Sequence, residues 1–268
     1  MVRSRGFTPS TLLGAAGMLG AALDIFSKYG FEFLSRWAHV VVGITWIGLL
    51  YYFNFVQVPA FGEMEAAARN NAIDKVASRA LWWFRWAAVA TVVTGLLILG
   101  FQDEFTNSGY FKSAPGIAIA TGILFALTMF VNVWGIIWRN QKLVIANARN
   151  VQAGGEADPA AAGAGRKALL ASRMNTIFSL PMLVFMVGAS HFPYDRGLSG
   201  EVTGGKRGLY WAITIVVWIV FELNALGKIG GTAPGGTNIV FDTHKNAIIA
   251  GACYAVWVLL VFTLVLAS

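Results

Sequence analysis

The chain has 268 residues, 57% of them hydrophobic and only 12% charged, with a mean hydropathy of +0.63. A water-soluble domain carries roughly twice that charged share, so the composition excludes an ordinary soluble enzyme and indicates an all-α polytopic membrane bundle. The formal charge of +7 is no nucleic-acid signal, because the basic residues fall in loops and helix ends, where topology and anionic lipid headgroups account for them. Ten-residue alternating segments, the mark of a membrane β-barrel, are missing.

Residues 1–30 open with MVRSRG and a short, Gly-rich apolar run ending near Asp24. They are expected to form an N-terminal interfacial helix, with a cleaved signal or an extra short span as alternatives. Residues 31–268 form the transmembrane domain, with spans expected near 31–61, 79–101, 114–138, 168–190, 209–226 and 244–267. In the first span, Arg36, His39, Gly43, Trp46, Asn54 and Gln57 recur at helical spacing, with Val40, Val41, Ile44, Ile47 and Leu49 opposite. Such a polar stripe must turn toward other helices or a bound group, since each unpaired polar group facing hydrocarbon costs several kcal/mol.

Further along, Arg85 is placed to snorkel to the headgroups. Residues 139–167 begin as a helical extension and end in a small-residue linker, QAGGEADPAAAGAG. Pro181 kinks the fourth span, which His191 closes. Glu222, near the end of the fifth span, is expected to be solvated or paired with Lys228, and His244 to be an interfacial helix-start residue. With six spans, twelve Lys and Arg fall on one side and eight on the other. The positive-inside rule then puts the C-terminus in the periplasm of a bacterial inner membrane.

His39 and His191 fall near the same surface on this topology. Two neutral imidazoles on facing helices can hold a b-type haem without covalent attachment, so both are candidate axial ligands, with Trp46 beside them. Three histidines cannot serve two bis-histidine haems, so at most one such haem is expected. Arg36, Asn54 and Gln57 are the candidate catalytic or substrate-binding groups. The single Cys253 excludes a CxxCH attachment within this sequence.

The run SRWAHVVVGITWIGLLYYFNFVQ, through Arg36, Trp37, His39, Gly43, Ile44, Trp46, Ile47 and Gly48, resembles the first membrane helix of the bacterial membrane-bound urate oxidase (urate hydroxylase) family. GASHFP, with His191 and Pro193, and THKNAIIAGACYAVW are similar to that family too. The resemblance implies a helical membrane domain feeding electrons from urate oxidation to a cytochrome c domain. This sequence stops at Ser268 without one, so a separate periplasmic cytochrome c or respiratory partner is expected. The alternative is a non-catalytic scaffold or accessory subunit, packed through Gly and Ala against other membrane subunits or a second copy. A transporter is disfavoured by the lack of an inverted repeat.

Overall fold

A computed structural model describes residues 24–107, 109–194 and 201–267; the expected interfacial helix lies almost wholly outside them. Among these described residues, six helices are long and apolar enough to cross a bilayer: α1 (Lys28–Glu63), α2 (Ala66–Phe101), α3 (Ala114–Gln152), α4 (Ala160–His191), α5 (Gly204–Ala225) and α6 (His244–Ala267). Ser27 starts α1 by accepting a hydrogen bond from the Gly30 amide through its side chain. Residues 102–113 join α2 to α3 on what we call the turn face, and residues 153–159 join α3 to α4 on the loop face.

Several helices outrun their apolar cores. Residues 66–77, polar and outside the apolar runs, are the opening of α2, and half of the expected linker is helix, leaving only 153–159 between α3 and α4. The Ala-rich run at Ala160 favours helix once its start is capped, and Asp158 caps it by accepting from the Ala160 amide at 2.8 Å. Wider π turns interrupt α1 at Tyr52–Gln57, α2 at Ile73–Ala77 and α3 at Val133–Ile137. Such turns shift the helix face and recur at functional sites.

The bundle is built around α4, 67% buried over its most apolar window against 22% for α1 and α5. Its Phe178 meets Phe125 of α3 and Tyr254 of α6, and Phe185 meets Phe262 of α6. Pro181 removes the amide that would bond the Ile177 carbonyl. There α6 comes so close that a Cβ on Gly251 would lie 3.0 Å from that oxygen. On the other side, Phe53 of α1 packs edge-on against Phe84 of α2 at 5.4 Å. Half-buried Arg85 lays its guanidinium 3.7 Å over the Trp138 ring of α3, a cation–π contact between the two helices.

The close approach at Gly251 makes a sharp test. Gly251→Leu should push α6 off α4 and cost about 1–3 kcal/mol, read as a lower thermal midpoint in detergent. Gly163→Ala, on an open face of α4 with nothing within 4 Å, should hold or raise it.

Candidate functional site

The polar stripe of α1 does not form one site. Arg36 is exposed and pairs with Glu32, one turn back, at 3.0 Å. Asn54 is 18 residues further on, roughly 27 Å along the helix axis, and is 1% exposed. The structure therefore keeps Asn54 and Gln57 near each other and sets Arg36 apart from both. Val40, Val41 and Ile44 face outward as expected, whereas Ile47 is buried, because α1 is enclosed on both sides below that level.

His39 points at α2. Its Nδ1 lies 3.0 Å from the Thr94 hydroxyl, and a Cβ on Gly95 would lie 3.2 Å from its Cε1. The Thr94 hydroxyl donates to the Ala90 carbonyl at 2.7 Å, so toward His39 it accepts. The imidazole must then carry its proton on Nδ1, leaving the Nε2 lone pair free. Trp46 is seven residues further along the same face, 1% exposed, with its indole N–H unpartnered among the described residues.

His191 is exposed at the end of α4, and its Nδ1 donates to its own helix at the Val187 carbonyl, 3.0 Å away. The Tyr51 hydroxyl donates to Ser179 at 2.9 Å, which fixes α1 against α4. His39 and His191 are each twelve residues from that contact, toward the turn face, and so lie at similar depth. Twelve residues also turn a helix by roughly 120° beyond whole turns, and on antiparallel neighbours this carries the two rings to opposite sides of the α1–α4 contact. The expected pair is not brought together: His39 faces α2 and His191 faces outward.

Gln57 borders a cavity of about 170 Å³ where α1, α2, α3 and α4 meet, lined among others by Phe53, Phe84, Gln141 and Ser172, and Asn54 is tied to its wall through Ser172. Asn54 donates to the Leu50 carbonyl at 2.9 Å and to Ser172 at 2.8 Å. Its own oxygen and that of Gln57 are buried without partners. Sequence reasoning missed Gln141, which falls beyond the expected end of the third span, and Ser172, one small hydroxyl among many.

Residues 103–202 match the family model described as urate oxidase N-terminal. That stretch is similar to the urate oxidase N-terminal family. No curated protein and no solved structure matches the chain. The matched family segment holds α3, α4, Ser172 and His191, and leaves out α1 with His39 and the motif that first carried the resemblance.

Inside the matched segment Asn132 of α3 donates to Asn175 of α4 at 3.0 Å, and beyond it to Glu222 of α5 at 3.3 Å. Asn175 in turn donates to the Met129 carbonyl at 3.0 Å. Glu222 thus faces the bundle and is met by Asn132, not Lys228, because the hydrocarbon beside α5 cannot solvate a carboxylate. His244 lies beside Phe55 of α1, ring centroids 6.0 Å apart. Among the described residues, no three His, Cys, Asp or Glu side chains are grouped to hold a metal ion between them.

Asn132 is the donor this centre depends on. Asn132→Leu leaves two buried acceptors unpaired and should cost about 1–3 kcal/mol. Glu222→Gln keeps an acceptor for Asn132 and should cost under about 1 kcal/mol. Denaturation midpoints of the two variants in the same detergent check the order.

Proposed function

We propose that this protein is the membrane part of an electron-transfer system of the urate oxidase type. It would hold one b-type haem on His39 and pass electrons to a separate periplasmic cytochrome c at the turn face. The observation that carries the proposal is the hydrogen bonding of His39: Thr94 accepts from the Nδ1–H group and leaves the Nε2 lone pair available inside the bundle. A ligating imidazole needs a partner on its other ring nitrogen, which fixes the tautomer and the ring plane.

The donor set suits one axial histidine and not two, since His191 is on the far side of α4 from the face His39 uses. A haem there would supply reversible one-electron chemistry. The protein's own residues do the rest. Thr94 orients the imidazole, Gly95 gives the ring room against α2, and buried Trp46 excludes water beneath it. The larger share of Lys and Arg on the loop-face side supports a periplasmic turn face, where a soluble cytochrome could dock. Urate itself would not be held by Arg36 together with Asn54 and Gln57, because Arg36 is too far along α1.

A reduced-minus-oxidised visible spectrum of the purified protein tests this. The wild type and His191→Ala should show a b-type signal, His39→Ala should lose it, and Thr94→Val should bind haem about 10–100-fold more weakly. A colourless wild type, or a signal that needs His191 as much as His39, would overturn it.

A further inference from the structure

We infer that the cavity at the junction of α1, α2, α3 and α4 binds a small neutral dihydroxyaromatic ring of the hydroquinone class. The inference goes beyond the haem proposal and holds whether or not His39 carries iron, because it stands on the cavity alone.

The first observation is a surplus of acceptors. Gln57 belongs to the cavity wall, and Asn54, outside the wall, is bonded to it through Ser172; the side-chain oxygens of both are buried and neither meets a donor among the described residues. Asn54 cannot correct this by turning its amide over. Its nitrogen already donates to Leu50 and Ser172, and a flip would set oxygen against the Leu50 carbonyl. Asn54 is 1% exposed, so bulk water does not reach it. Buried acceptors without donors are costly, and a guest that brings O–H groups removes the cost.

The second observation is the character of the walls. No lining residue is charged, which selects a neutral guest. Phe53 and Phe84 stand edge-to-face at 85°, offering an aromatic surface to a flat ring. A volume of about 170 Å³ suits one six-membered ring with its substituents and excludes a macrocycle. A third observation is how the space arises. The π turn Tyr52–Gln57 supplies Phe53 and Gln57, and the π turn Val133–Ile137 supplies Ile137, so two local widenings of the helix meet at one place. A guest whose oxygens only accept would set acceptor against the Gln57 oxygen, so the site selects the hydroxyl-bearing ring over its ether or quinone form.

Isothermal titration of the detergent-solubilised full chain, without oxygen, tests the inference with hydroquinone and with 1,4-dimethoxybenzene, which has the same ring and no donors. Hydroquinone should bind saturably at one site, and the dimethyl ether about tenfold more weakly or less. Gln57→Leu should weaken hydroquinone about tenfold, and Ala168→Leu, which fills the space, should abolish binding. Gln57 is only partly buried, so its variant remains informative if Ala168→Leu fails to fold. Equal binding of the ether, binding unchanged in Gln57→Leu, or no saturable binding at all, with water alone in the cavity, would overturn it.

Discussion

Hydrocarbon cannot solvate a polar group, and the organisation of this bundle follows from how one face of α4 meets that constraint. Ser172, Asn175 and Ser179 are three and four residues apart and share a side of the helix. Asn54 and Tyr51 of α1 donate to the two serines, and Asn132 of α3 donates to Asn175. Each such bond contributes only about 0.6–2 kcal/mol between membrane helices. Their effect on register is larger, because sliding α1 by one turn would strand several polar groups at once. The far side of α4 needs no polar stitching: Gly251 lets α6 approach the backbone freed by Pro181, and aromatic rings fill the remainder.

A fixed register sets where chemistry can occur. His39, Trp46 and Phe53 follow one another at seven-residue steps along the α2-facing side of α1. Trp46 and Phe53 are buried, and Phe53 touches Phe84 at the cavity wall. The imidazole near the turn face and the amide-lined cavity deeper in the bundle therefore lie on one continuous buried face. Arg36 and His191 lie off it, at an exposed helix end and on the opposite side of α4. A chain of packed rings between two sites is a physical connection, and coupling between them is a matter for measurement.

Much of this was legible in the residues. Composition and apolar runs give the six membrane helices, and the stripe on α1 correctly singles out His39, Trp46, Asn54 and Gln57 as inward groups. Hydropathy shows where lipid begins and ends, not where the helix does. For that reason Ala66–Ala77 reads as lying outside the second span and the start at Ala160 as linker, although both belong to membrane helices. The separation of Arg36 from Asn54 follows from an 18-residue spacing alone. The failure of His39 and His191 to converge does not. It needs the Tyr51–Ser179 contact, which no periodicity supplies, before the two twelve-residue offsets acquire a direction. Glu222 was misplaced for a related reason: its partner Asn132 is 90 residues away in sequence.

The central claim is that one imidazole, not two, is available to iron in this membrane domain. Electron paramagnetic resonance of the oxidised, haem-loaded protein reads the axial ligation directly. A high-spin ferric signal that disappears in His39→Ala is the result expected of a single histidine ligand held by Thr94. A low-spin bis-imidazole signal, lost equally in His39→Ala and His191→Ala, would contradict it and require α1 and α4 to pack in a different rotation.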